Sequence, residues 1–552
     1  MEMSTAGEEL LTYFRRKVDL ICITAVLIIA LTFRVVSLWR YPFCDEYHYL
    51  ANIQNFFSNR TILAGNFLYP TLFSYLAAIG MGLGSIIYWL IGLIPTPYGI
   101  SYLGVRHPEL MLLPGRSISL TFGVLTIILV YKIGKRLYGG KAGVGAALVL
   151  ALSRSHIWGS GVCLADVCTA FFATLVLWFA LEIAEKGKFR DYVMGGCAIG
   201  LTASTKYNGA LIATAIVAGH LCYLRRQGVL AHVEKWVDGA LVGGAVAALG
   251  AFLITSPGWI FQFREFVDGL LYQMQVVSQG HIGIGRFGGK LQMAKLYWYG
   301  EGSISLLGGL SILWAACRHR FCDIVIIGTV SSAILVIGRW YNNMSLHYLL
   351  FIFPALSVLI GRFLFEVSEK CLSKRQLWAY WILLLITFAR PFWINIQTTY
   401  AERLIDNRWL AQRWIHKTIA PGEKIALDWL YTPRISTKEE QEEALKKHPE
   451  WKGVFDGVPT YQQVELRKSV DWLVYTHANW LVTSNWDYDR FFLGAPPPEG
   501  NPLREKYFEY RSFYECLLAG GNGKGGWALL KSFNQGKGPI VEIYKKGSLS
   551  KE

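Results

Sequence analysis

The sequence predicts a polytopic α-helical membrane protein of about eleven transmembrane helices, with a C-terminal extracytoplasmic α/β domain. Three observations predict it. Of 552 residues, 53% are hydrophobic and only 17% charged, where a soluble domain carries about 25% charged residues. The apolar residues gather in runs near the roughly 20 residues that a helix needs to cross a bilayer. The basic residues cluster between alternate runs, the pattern of cytoplasmic loops.

The runs lie near 19–38, 115–131, 142–155, 163–184, 192–205, 208–224, 236–255, 299–317, 322–338, 347–365 and 377–396. The first follows Arg15, Arg16 and Lys17 and has no small-residue cleavage site, so it reads as an uncleaved span. With the N-terminus cytoplasmic, the inner segments hold Lys132, Lys135, Arg136 and Lys141; Lys186, Lys188 and Arg190; Arg225, Arg226 and Lys235; Arg318 and Arg320; and Lys370, Lys374 and Arg375. The short outer connections hold one basic residue each: Arg154, Lys206 and Arg339. This asymmetry places residues 397–552 outside. The expected location is the cytoplasmic membrane of a cell, or the ER membrane if the cell is eukaryotic. Two sequons, Asn59-Arg60-Thr61 and Asn343-Met344-Ser345, fall on the outer side and carry meaning only in a eukaryotic secretory pathway.

Residues 68–94 are also apolar enough to span. One crossing there would turn every later basic cluster outward. The stretch is therefore expected to be juxtamembrane, re-entrant or a hairpin of two short crossings, within a long outer loop 39–114. A second long outer loop covers 256–298. The expected division is a membrane domain, 1–396, and an α/β domain, 397–552. In the latter, 437–448 reads as a solvated helix. Glu423–Leu430, Trp472–Thr476, Trp480–Ser484 and Val541–Lys545 read as strands.

The net charge of +15 forms no single stripe, which argues against nucleic acid. The ten Cys include no CxxC pair, so no zinc site is indicated. Asp45 and Glu46 follow the first span in YPFCDEYHYL. Adjacent carboxylates in an aromatic, partly dry setting have shifted pKa values and are candidates for proton abstraction or metal binding. A solvated turn at a helix start explains the same pair equally well. Asp166 opens the span 163–184, where a helix cap is the simpler reading. Lys206, in ASTKYNG, reads by itself as a snorkelling lysine. All four, however, map to one outer membrane boundary, and ionisable groups converging at one depth suggest a functional site.

The segment QGHIGIGRFGGK spaces Gly283, Gly285 and Gly288 as GxGxxG. No βαβ unit surrounds it, so a glycine-rich flap is the better reading. His281, Arg286 and Lys290 are candidates to meet an anionic group on closure, and a plain flexible loop explains the segment about as well. Arg339 and His347 flank a further outer connection and are also candidates for a phosphate.

In order along the chain, these features resemble the GT-C glycosyltransferases, specifically glycosyltransferase family 39 and its relatives. That group includes protein O-mannosyltransferases and lipid A aminoarabinose transferases. The resemblance rests on Asp45–Glu46, FLYPTLFSYL (67–76), LPGRSISLTFGVLTIILVYKIGKRLYGGKAG (113–143), LAD ending in Asp166, ASTKYNG, HYLLFIFP (347–354) and DNRWLAQRWIHKTIAPGEKIALD (406–428). It implies inverting transfer of a sugar from a polyprenyl-phosphate carrier to an acceptor hydroxyl on a protein, lipid or glycan. It implies Asp45 as general base, Glu46 orienting the acceptor or sharing its proton, and Asp166 lining the cavity. The aminoarabinose transferases have a Lys before the proline stretch that grips the carrier phosphate; here that position is Tyr69. The phosphate then needs other cations, with Lys206, Arg339, His281 and His347 as candidates. No cofactor is implied with certainty; a divalent metal on Asp45 and Asp166 is left open. The partners are the lipid-linked donor, the acceptor and membrane lipids. Two other classes stay in view: a transporter or lipid flippase, from the span count alone, and an envelope receptor whose C-terminal domain binds glycan or protein. A transporter would place charges near the bilayer midplane, often with inverted repeats, and the sequence has neither.

Overall fold

The computed structural model describes residues 2–547, apart from 284–288, 319, 340–344, 372–376, 429 and 521–524. Among these, seven helices are long and apolar enough to cross a membrane. Six coincide with expected runs: Lys17–Ser37, Pro108–Tyr138, Asp166–Lys186, Tyr207–Arg226, Val233–Thr255 and Leu346–Glu369. Five further runs also form helices: Gly140–Leu152, Phe189–Thr205, Ser303–Ala316, Phe321–Ile337 and Leu377–Ala401. Several are shorter than expected because Ser153, Lys206 and Gly302 end or begin a helix inside or beside the apolar run.

The seventh spanning-length helix is Leu72–Leu90, within the stretch that conflicted with the charge pattern. It is one unbroken helix, which excludes two short crossings. Thr71, at its start, donates to Thr255 O at 2.8 Å, beside Ser204 and Lys206. Tyr88, near its end, donates to Leu110 O at 3.0 Å, close to the start of Pro108–Tyr138. Both ends are thus fastened near the end of the bundle that carries Asp45 and Lys206. A helix lying along the membrane surface has this arrangement.

Small residues let the bundle close. A Cβ at Gly196 would stand 2.0 Å from Gly244 O, and one at Gly200 would stand 2.3 Å from Ala248 O. Phe189–Thr205 and Gly239–Thr255 therefore touch backbone to backbone, as small-residue helix pairs in membranes do. Asp166–Lys186 packs inside this ring, and Val167, Ala170, Ala173, Val176 and Leu177 are fully buried.

The C-terminal domain holds a six-stranded sheet: β1 (Lys424–Leu427), β2 (Ser436–Thr437), β3 (Thr460–Val464), β4 (Trp480–Ser484), β5 (Trp527–Phe533) and β6 (Val541–Lys546). Its order is β2-β3-β1-β4-β6-β5. Strands β1 to β4 run parallel, and β6 is antiparallel to both β4 and β5. The expected strand at Trp472–Thr476 is a helix, Val470–Tyr475. Ser469 accepts from Trp472 N and Asp471 sits in the first turn, and this helix start overrides the strand preference of the aromatic residues. Strands β2, β3 and β5 were not expected; β2 and β3 are short or polar. The solvated helix forms at Lys438–Lys447 with a Thr437–Glu440 capping box.

Strand order reverses direction at β1 and β4, and the crevice beyond their carboxyl ends is the usual ligand side of such a sheet. Here it faces the loop after the first span. Arg434 stands 4.6 Å from the Tyr47 ring, and Arg408 stands 3.9 Å from the Tyr41 ring.

Gly196→Val is expected to destabilise the bundle by about 1–3 kcal/mol through overpacking, read as a lower thermal midpoint in detergent. Gly250→Ala, with nothing within 4 Å of its Cβ, is the matched control and should not lower it.

Candidate active site

The loop after the first helix is held by one buried carboxylate. Glu46 is fully buried and opens the helix Glu46–Ser58. Its Oε1 accepts from Arg116 Nε at 2.8 Å and Cys163 N at 2.7 Å. Its Oε2 accepts from Arg116 Nη2 at 2.7 Å and Phe43 N at 2.8 Å. Arg116 is equally buried, and its Nη1 donates to Leu38 O at 2.7 Å and Arg40 O at 2.9 Å. The guanidinium fork therefore joins the end of the first span, the loop and the helix Pro108–Tyr138. The Cys163 amide adds the connection before Asp166.

Asp45, the residue before it, is half-buried. Cys44 Sγ lies 3.6 Å from its Oδ1. Burial pushes its carboxyl above the ordinary carboxylate range, while His48, Cys44 and Lys206 pull it back and Asp166 adds to the rise. Asp166 is 6% exposed and takes Lys206 Nζ on its Oδ1 at 2.6 Å. Lys206 stands 6.0 Å from the Tyr69 ring centre and 5.3 Å from that of Tyr348. Tyr69 stacks on Tyr49 at 5.3 Å. Its hydroxyl is pushed well above the usual phenol range by burial and by Asp45 and Asp166.

The structure thus gathers Asp45, Asp166, Lys206 and Tyr69. His347 joins them: its Nδ1 is 2.9 Å from Ser345 Oγ, its ring is 4.4 Å from Tyr348, and it lies within electrostatic reach of Asp166. His281 lies within electrostatic reach of Asp45. Arg339 is exposed at the end of Phe321–Ile337, and among the described residues no hydrogen bond or ion pair joins it to this cluster. Arg286 and the Lys290 side chain lie outside the described residues.

Sequence reasoning missed Arg116, His48, Tyr348 and Tyr431. Arg116 had a signal, because it is an ionisable residue inside an apolar run. Tyr431 had none. It follows β1, and its hydroxyl lies 4.0 Å from Cys44 Sγ, which only the docking of the two domains decides. Among the described residues no three His, Cys, Asp or Glu side chains gather as metal ligands. The Lys206 ammonium supplies the positive charge beside Asp166.

Residues 111–260 match the family model of dolichyl-phosphate-mannose-protein mannosyltransferases. No curated protein matches the chain. Among solved structures it is similar to ArnT from Cupriavidus metallidurans bound to undecaprenyl phosphate, with TM-score 0.51, 11% identity, and 95% of this chain and 97% of that one covered. The apo form of that protein gives TM-score 0.52 and 13% identity over 94% and 97%. The apo oligosaccharyltransferase of Archaeoglobus fulgidus gives TM-score 0.51 and 13% identity over 95% of this chain and 80% of that one. The chain shares the overall fold of these two proteins. The matched segment takes in Arg116, Asp166 and Lys206. Asp45 and Glu46 lie before it and reach it through the Arg116 fork.

Lys206→Met leaves Asp166 buried and unpaired, which costs about 3–5 kcal/mol for a buried pair broken on one side. Thermal unfolding should show this loss, and adding Asp166→Asn should recover part of it.

Proposed function

We propose that this chain is an integral-membrane glycosyltransferase. It moves a sugar from a dolichyl- or undecaprenyl-phosphate donor to an acceptor hydroxyl at the outer membrane face, with inversion and with Asp45 as general base. The observation that carries this reading is the state of Asp45. It is the half-buried carboxylate of raised pKa that the Glu46–Arg116 fork holds at the end of a GT-C bundle, next to Lys206. The family match and the resemblance to ArnT with its bound undecaprenyl phosphate support the donor class. The transporter and receptor readings rest on span count and domain layout alone.

The acceptor oxygen attacks the anomeric carbon as Asp45 takes its proton. The bond from that carbon to the phosphate oxygen breaks, and its electron pair leaves with the carrier phosphate. A buried base with a raised pKa is the stronger for this step at neutral pH. Glu46, expected to orient the acceptor or share its proton, has four hydrogen bonds in the buried fork, and its role here is to position Asp45. Tyr69 stands where the aminoarabinose transferases carry a lysine, and the Lys206 ammonium over its ring takes that place. Lys206, His281 and His347 are the candidates to meet the carrier phosphate, and Arg339 stands apart from them. The acceptor can be protein, lipid or glycan, on the outer face of the cytoplasmic membrane or in the ER lumen.

Asp45→Asn should lower transfer from polyprenyl-phosphate sugars by about 10²–10⁴-fold, the usual share of a general base, in a protein that still folds. Full activity in folded Asp45→Asn removes the base assignment. The base works deprotonated, so kcat/KM should rise with pH through the Asp45 pKa. That limb should lie above about 4, the ordinary carboxylate value, because burial raises it; a limb at or below that value contradicts the reading.

A further inference from the structure

Arg490 sits on the helix Asn485–Phe492, which follows β4 at the crevice facing the membrane domain. Its Nε donates to Trp486 O at 3.1 Å. Among the described residues its two terminal nitrogens make no hydrogen bond or ion pair. The guanidinium stands 5.5 Å from the Tyr431 ring centre, and the Tyr431 hydroxyl meets Cys44 beside Asp45.

The loop that carries His281 is fixed against the same helix. Gln279 O accepts from Asn501 Nδ2 at 3.0 Å, and Ile282 packs on the core of the soluble domain. Gly283, at φ +75°, lies on the Arg490 side chain: a Cβ there would stand 2.6 Å from Arg490 Cδ and 3.0 Å from Phe491 Cζ. Both the backbone angle and the contact require glycine. His281 consequently lies within electrostatic reach of both Arg490 and Asp45.

Among the described residues no ion pair offsets the Arg490 charge. Asp487 behind it is pushed above the ordinary carboxylate range by burial and by Asp428. Asp428 is paired with Lys468 at 2.7 Å. On the membrane side, by contrast, the Lys206 charge is already balanced by Asp166. A phosphate leaving as a monoester carries about −1.5 to −2 charges at pH 7, more than a neutralised pair can offset.

We propose that Arg490, supplied by the soluble domain, binds the carrier phosphate of the donor, with His281 as the second contact on that side. This rests on the reading of the chain as a polyprenyl-phosphate transferase. The planar fork suits phosphate oxygens better than a lysine does. Tyr431 stands beside the guanidinium, and among the described residues no ion pair joins Arg490 to Asp45, so base and phosphate site remain separate.

The test uses the full chain in lipid nanodiscs, titrated with undecaprenyl monophosphate and, separately, with undecaprenol. Wild type should bind the phosphate at least about tenfold more tightly than the alcohol, since hydrogen bonds to a charged group contribute about 1.5–3 kcal/mol. Arg490→Ala should lose about tenfold or more on the phosphate and nothing on the alcohol, and Arg490→Lys should lie between. Arg490→Gln, closer in size, provides the same readout if the alanine variant does not fold. Wild-type preference for the phosphate in the folded Ala or Gln variant overturns the Arg490 assignment and leaves the proposed function standing. A wild type that binds both lipids equally overturns the proposed function, and this inference with it.

Discussion

The site depends on the pairing of Glu46 with Arg116. Removing two charges from water costs several kcal/mol for each ion, and attraction offsets that only where every oxygen and nitrogen finds good geometry. Here both carboxylate oxygens take two donors each, and the guanidinium also serves the Leu38 and Arg40 carbonyls. A network this complete tolerates little displacement. It therefore fixes where the chain turns after the first span, and Asp45, one residue before Glu46, is fixed with it.

Three carboxylates meet at this end of the bundle, and their surroundings divide the work. Glu46 is consumed by the fork, and Asp166 is paired with Lys206. The Asp45 carboxylate has the thiol of Cys44 as its only hydrogen-bond contact among the described residues, and in the proposed reaction it is the one that accepts the proton. Environments that push neighbouring acids apart in this way assign their roles. The soluble domain completes the site from above. Tyr431 and Arg490 come from the carboxyl ends of adjacent parallel strands, the edge where such sheets gather ligand groups.

The bundle was legible because lipid demands long apolar runs and their charge asymmetry survives in the sequence. Asp45, Asp166 and Lys206 were legible because charged residues stand out at the ends of such runs. The fork was not, because Glu46 and Arg116 are 70 positions apart and no local pattern pairs them. Glu46 consequently looked like a second proton carrier. The stretch 68–94 was apolar enough for a span, and only the tethers at Thr71 and Tyr88 show both its ends near one face. Trp472–Thr476 went wrong for a simpler reason: a serine cap outweighed aromatic strand preference. Arg490 gave no signal, since its meaning depends on how the two domains meet.

Arg116→Lys isolates the fork most directly. It keeps the positive charge but cannot span both oxygens of Glu46 while holding the Leu38 and Arg40 carbonyls. The decisive measurement is the rate of sugar transfer from a polyprenyl-phosphate donor by folded Arg116→Lys, with binding of polyprenyl phosphate measured alongside. If the fork sets the position of Asp45, transfer falls by about 10²-fold, the usual cost of a misplacement near 1 Å, while lipid-phosphate binding persists. Transfer at the wild-type rate by the folded variant would contradict the account.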